Sequence, residues 1–126
     1  MTKFADRSTN QQRDRDPVGV LLKKFDKLEP FDLCLQLDNW FRWVHLAPSE
    51  MLEVGRSFVE HSSDEVKYAA IQCVADVLFE KGSFLDDTEK RGALGSISRL
   101  RSNLIDSGRA DHQIVSLAER VLEELE

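Results

Sequence analysis

Apolar residues recur at spacings of three and four in the middle of the chain, and this spacing decides which kind of fold the sequence can form. In the segment DEVKYAAIQCVADVL, residues 64–78, the spacing places one apolar stripe along a helix. A helix with a single apolar stripe buries it against other elements. The segment therefore predicts an amphipathic helix inside a helical domain. The stripe consists of Val66, Ala69, Ala70, Cys73, Val74, Val77 and Leu78.

Capping residues predict where this helix begins and ends. Ser62 and Glu65 have the spacing of a capping box, in which a hydroxyl and a carboxylate each bind a free backbone amide. Gly82 stands where a C-terminal stop is expected.

The same periodicity, with proline or capping residues at the breaks, continues on both sides of this helix. Asp16 followed by Pro17 suits the start of a first helix, and Asp111 suits the cap of the last. Together the segments predict an all-α domain of about six helices in three antiparallel pairs. The other five helices are expected over residues 17–28, 31–46, 51–59, 94–108 and 112–125.

The predicted domain covers residues 17–126. The segment before it, residues 1–16, is mostly polar and charged and has one aromatic residue, Phe4. It buries too little apolar surface to offset the entropy of ordering, so we expect a flexible tail.

Two of the predicted helices match each other. Residues 64–78 align with HQIVSLAERVLEEL, residues 112–125, so that Ala118 falls on Ala70 at an offset of 48 residues. In its acidic start, β-branched residue and alanine pair, the stretch 62–82 resembles HEAT and armadillo repeats, and 111–125 resembles them in part. The resemblance implies a HEAT-like stack of helix pairs that binds proteins through an extended surface, and it implies no chemistry. A compact helical bundle is the alternative.

The sequence contains no recognisable catalytic or metal-binding pattern. His45, His61 and His112 fall in different helices or caps, and none has a partner at ligand spacing. Cys34 and Cys73 occupy apolar positions and are expected to be small buried thiols. We therefore expect no metal, no cofactor and no catalytic residues.

Glycine and serine do not suggest an active site either. The serines fall in caps and turns, where bonds to the backbone account for them. Residues 92–96, GALGS, do not match a phosphate loop. We expect Gly92 and Gly95 to allow close helix packing instead, and we expect that the protein is not an enzyme.

Charge and hydropathy limit the partners. The 126 residues carry a formal net charge of −6, which disfavours nucleic acid and leaves a basic protein partner open. No apolar run approaches the roughly 20 residues of a membrane span. The N-terminal residues lack the hydrophobic region of a secretory signal, so a cytoplasmic location is expected.

The segment NWFRWVHL, residues 39–46, holds both tryptophans of the chain. On a helix at 100° per residue, Trp40 and Val44 lie on a core face with Leu33, Leu37 and Phe41. The opposite side of that helix needs a second cover, which is either a neighbouring helix of the same domain or another chain. Its residues are the candidate protein-binding residues Leu35, Arg42, Trp43 and Leu46.

These observations predict a non-enzymatic protein-interaction module, an adaptor or scaffold, whose partner is another protein or a second copy of the chain in a homodimer. An alternative is a small acidic inhibitor, of the immunity-protein type, that blocks a basic nucleic-acid-processing enzyme. An enzyme on a helical scaffold would need a clustered catalytic pair, which the sequence does not show.

Overall fold

Six α-helices make up the part of the chain that the computed structural model describes, residues 16–110 and 112–126. Two of the connections between them contain short 3₁₀ turns, Trp40–Arg42 and Gly82–Phe84. The described residues include no β-strand. The predicted all-α class is therefore confirmed. The predicted tail, residues 1–16, lies outside the described residues except for Asp16. The helices are α1 Pro17–Asp26, α2 Pro30–Asp38, α3 Pro48–Arg56, α4 Asp64–Lys81, α5 Asp87–Asp106 and α6 Gln113–Leu125.

Prolines open the first three helices. Pro17, Pro30 and Pro48 each occupy the first helical position, where a missing N–H costs no hydrogen bond. Asp16 caps α1 as predicted, because its Oδ1 accepts the N–H of Val18 at 3.2 Å.

Two later caps differ from the sequence-based expectation by one residue. Ser63, not Ser62, caps α4, and its Oγ accepts the N–H of Val66 at 3.4 Å. The predicted cap Asp111 is outside the described residues, and α6 is capped by the ring of His112, whose Nδ1 accepts the N–H of Ile114 at 3.1 Å. Any side-chain acceptor near the first free amides performs this function, so the chemistry of the cap is easier to predict than its position.

Helix α4 is the centre of the domain, in contact with α2, α3, α5 and α6. Alternate helices pack side by side, with α1, α3 and α5 in one row and α2, α4 and α6 in the other. The stripe predicted from the sequence faces the core that these rows share, and Val66, Ala70 and Val74 are completely buried. The helix that anchors the sequence analysis is thus also the one around which the bundle is built.

Glycine sets the distance between some of these helices. A Cβ on Gly55 of α3 would lie 3.0 Å from Cγ2 of Val74 and 3.2 Å from Sγ of Cys73, so α3 approaches α4 closely there. At Gly92 a Cβ would lie 3.0 Å from a guanidinium nitrogen of Arg56, whereas at Gly95 it would meet nothing within 4 Å. The expectation of close helix packing is wrong for Gly95, and at Gly92 the close neighbour is the end of the Arg56 side chain, not the body of a helix.

Helix α2 ends at Asp38, eight residues earlier than the predicted end at 46. The Asn39 side chain donates to the Leu35 carbonyl at 2.7 Å, and the chain then turns through the 3₁₀ segment. Because helical geometry stops there, the predicted faces do not continue. Trp43 packs into the core with its ring centroid 5.8 Å from that of Phe25, while Val44, predicted to face the core, is 84% exposed.

Candidate functional site

The four residues predicted to bind a partner do not form one surface. Leu35 is 44% exposed on α2, and Arg42 is exposed in the 3₁₀ turn. Trp43 and Leu46 are only 4% and 5% exposed and belong to the core. Of the two interpretations of the tryptophan segment, burial within the domain is the one that the structure shows for Trp43.

A cleft of about 440 Å³ opens instead between α2, α4 and the start of α6. Its volume falls within the usual range for ligand sites. Helix α4 supplies the largest share of its lining. The lining residues are Cys34, Asp38, Asp64, Glu65, Tyr68, Ala69, Gln72, His112, Gln113 and Ile114.

The side of α4 opposite the buried stripe faces this cleft. Glu65, Tyr68 and Gln72 follow each other at spacings of three and four, and Asp76 and Phe79 extend the same side toward the C-terminal end. Tyr68 also lines a neighbouring depression of about 360 Å³ that reaches along α6. The cleft and this depression therefore adjoin each other, with Tyr68 and Gln113 lining both.

Asp64 closes one end of the cleft by binding two cationic side chains and contacting the ring of His112. One of its carboxylate oxygens lies 2.6 Å from Nη2 of Arg109 and 3.3 Å from Nε2 of His112, and the other lies 3.4 Å from Nζ of Lys67. The hydrogen bond from Arg109 is the main reason that the pKa of Asp64 is lowered. Asp64 is therefore already neutralised by its own domain.

The loop before α6 places Arg109 for this contact. Gly108 adopts φ of +79°, and the N–H of Arg109 donates to the Leu104 carbonyl at 2.8 Å. This is the Schellman arrangement, in which a residue with positive φ lets the chain reverse after a helix.

Two other carboxylates of the cleft lining, Asp38 and Glu65, and the neighbouring Asp76 of α4 have no cationic partner among the described residues. Within residues 16–110 and 112–126, no ion pair includes Asp38, Glu65 or Asp76. Partial burial, followed by the negative charge of Asp76, raises the pKa of Asp38. The carboxylate of Asp76 accepts a long hydrogen bond, 3.4 Å, from Nε1 of Trp40. The end of the cleft at Asp38, close to Asp76, thus carries negative charge that no ion pair within the described residues offsets.

Hydrogen bonds stabilise Glu65 as an anion, and no counterion is present among the described residues. Its own backbone amide and, secondly, the hydroxyl of Ser63 at 2.9 Å lower the pKa of its carboxyl group. It stays ionised at neutral pH and adds a third negative charge to the cleft.

The cysteine in the cleft is not set up as a nucleophile. Burial, followed by the charges of Asp38 and Glu65, raises the pKa of Cys34, which keeps the thiol protonated at neutral pH. Burial likewise raises the pKa of Cys73. No group of three or more His, Cys, Asp or Glu side chains in the described part is arranged to hold a metal ion.

Large apolar side chains border the acidic cleft. Phe31 is 73% exposed, and it shares a face of α2 with Leu35 and with the cleft residues Cys34 and Asp38. Phe79, which is 81% exposed, lies on the cleft side of α4. Exposed aromatic residues next to a charged depression are typical of a surface that contacts another protein.

Sequence reasoning missed Tyr68, Asp38 and Asp76 as site residues. The polar stripe of α4, interrupted by one tyrosine, was a visible signal for Tyr68. No signal in the sequence showed that Asp38 and Asp76 lie close together, because their proximity depends on α2 ending at Asp38 and packing beside α4.

Comparison of the chain with protein-family models, with curated proteins and with solved structures finds no match. None of the helices within the described ranges has both the length and the apolar character needed to cross a membrane.

Proposed function

We propose that this protein is a non-enzymatic interaction module that binds another protein through the cleft formed by α2, α4 and α6. The observation that carries the proposal is that the open cleft, its unpaired carboxylates and its exposed aromatic border all lie on one row of helices.

Burial of the border residues would supply much of the affinity. Phe31 and Leu35 together present a continuous apolar strip on α2 that the domain itself leaves open to water. Each large apolar side chain that is fully buried contributes about 1.5–3 kcal/mol, so a partner that covers this strip gains a substantial driving force.

The resemblance to HEAT repeats supports the same function. Side-by-side packing of alternate helices is also the order found in a stack of helix pairs, whose extended face serves as a binding surface. A HEAT-like relationship remains part of the proposal.

A second candidate function is inhibition of a basic nucleic-acid-processing enzyme. The unpaired carboxylates favour it, because an acidic surface can occupy the basic groove that such an enzyme uses for phosphates. Stoichiometric addition of the protein would then abolish the activity of the bound enzyme, whereas an adaptor would leave it unchanged.

Affinity capture from native lysate with matched variants tests the proposed function. The site variant is Phe31→Ser with Leu35→Ser, which changes the α2 face next to the cleft. The control is Val20→Ser with Phe84→Ser, which changes exposed apolar residues on α1 and in the turn after α4 (52% and 72% exposed). We expect a partner, identified by mass spectrometry, that the wild type and the control retain and the folded site variant loses. Equal retention by both variants would contradict the proposal.

A further inference from the structure

We infer that the segment of the partner that enters this cleft is basic, a stretch carrying lysine or arginine together with apolar side chains. The inference rests on the proposed function and names the chemistry of its ligand.

Charge complementarity identifies this occupant. Asp38 from α2 and Glu65 from α4 bring negative charge to the two sides of the cleft, and Asp76 of α4 adds a charge close to Asp38. The described residues form no ion pair with any of the three. A cation between Asp38 and Asp76 would relieve their mutual repulsion and gain attraction to both. Asp64, by contrast, already has such a cation within the domain, because Arg109 binds it.

The apolar border adds a second requirement on the ligand. Phe31 and Leu35 adjoin the acidic side chains along one face of α2, so the segment needs apolar groups next to its cations. Lysine and arginine side chains meet this need in part, because their aliphatic stems pack on apolar surface while their charged ends reach the carboxylates. Tyr68 offers an aromatic face to a guanidinium group.

The same charges disfavour the other occupants. A second copy of the chain would bring the same acidic face and a net charge of −6 toward an identical surface. Nucleic acid would meet carboxylates where it needs cations. A basic protein segment is the partner that both the charge and the apolar border fit.

The test uses two fluorescein-labelled peptides with identical apolar positions, one with lysine and arginine and the other with glutamate and aspartate at the remaining positions. Fluorescence anisotropy is measured against the full-length protein at low and high salt. Wild type is compared with Asp38→Asn/Glu65→Gln/Asp76→Asn and with Glu123→Gln/Glu124→Gln/Glu126→Gln, which removes the same charge at the C-terminal end of α6.

We expect the basic peptide to bind wild type at least about tenfold more tightly than the acidic peptide, with affinity falling at high salt. The cleft variant should lose about tenfold or more in affinity for the basic peptide, and the C-terminal control less than about twofold. Failure of the basic peptide to bind, equal binding of the acidic peptide, or an equal loss in both variants would overturn the inference.

A second measurement places the peptide. Tyr68 is the only tyrosine of the chain, so 3-fluorotyrosine labelling gives one ¹⁹F resonance located in the cleft. The basic peptide should shift this resonance at the concentrations that change the anisotropy, and an unchanged resonance would show that the peptide binds elsewhere.

The two tests fail in distinguishable ways. If lysate capture depends on Phe31 and Leu35 but the basic peptide does not bind, the protein-binding function stands and the basic ligand is wrong. If capture is independent of both residues, the proposed function fails whatever the peptide does.

Discussion

At the scale of single residues, Gly55 and Gly95 show how one residue type has opposite effects at two places. Both glycines are inside helices, where the backbone freedom of glycine lowers helix stability. At Gly55 the missing Cβ makes room for Val74 and Cys73, whereas at Gly95 it makes room for nothing. Replacing Gly55 with alanine would therefore favour the helix but disturb its packing against α4. Replacing Gly95 with alanine would change helix propensity alone.

We expect Gly55→Ala to lower the free energy of unfolding by about 1–3 kcal/mol, because the new methyl group forces α3 away from α4. Gly95→Ala should raise it by about 0.5–1 kcal/mol through helix propensity. Urea unfolding followed by circular dichroism measures both values. Stabilisation by Gly55→Ala would show that the two helices separate without cost.

Asp38 provides a second prediction at this scale. Partial burial and Asp76 raise its pKa, so folding favours the protonated form. The associated stability is complete below the pKa of the unfolded chain and is lost as pH rises through the folded pKa. At pH 7 we therefore expect Asp38→Asn to raise the melting temperature slightly, and at pH 3 we expect no gain because the wild-type carboxyl is then neutral. Thermal melts at both pH values check this, and a lower melting temperature at pH 7 would contradict it.

At the scale of helices, the sequence is informative about starts and interior stripes and less so about ends. The position of Pro17 and the stripe of α4 predicted two helices well because both signals are local. The end of α2 depends on Asn39 bonding the Leu35 carbonyl and on Trp43 packing against Phe25, a contact across the fold. Burial of Trp43 in the core outweighed the helical periodicity of the sequence there. As a result, two of the four predicted binding residues, Trp43 and Leu46, belong to the core.

The contact between α4 and the loop after α5 gives a prediction at the same scale. Arg109 lowers the pKa of Asp64, so this carboxylate contributes stability above the pKa of the unfolded chain and loses it as pH falls through the lower folded pKa. Asp64→Asn should lower the melting temperature at pH 7 and have less effect as the pH falls below about 4. High salt should reduce the loss, since Asp64 and Arg109 are each 39% exposed. A loss that is independent of pH and salt would indicate that packing, not charge, is responsible.

At the scale of the whole molecule, one hydrophobic core joins both rows of helices. Phe25 of α1 lies between Trp43 of the α2–α3 connection and Phe58 after α3, with ring centroids 5.8 Å and 6.2 Å away. This aromatic group ties the first half of the chain together, while α4 links that half to α5 and α6. The cleft depends on this arrangement, because α2 keeps its place beside α4 only while the connection after it stays packed.

Trp43→Ala tests that dependence against the alternative that Trp43 serves an interface. Removal of a large buried aromatic side chain costs about 3–5 kcal/mol. Because domains of this size are stable by only about 5–15 kcal/mol, the melting temperature should fall sharply. Phe41→Ala, at a neighbouring aromatic that is 57% exposed, should change it little. Differential scanning calorimetry compares the two variants. An unchanged melting temperature for Trp43→Ala, together with weaker association, would mean that Trp43 serves an interface. A large decrease in melting temperature for Trp43→Ala and not for Phe41→Ala would mean that burial of Trp43 stabilises the fold on which the cleft depends.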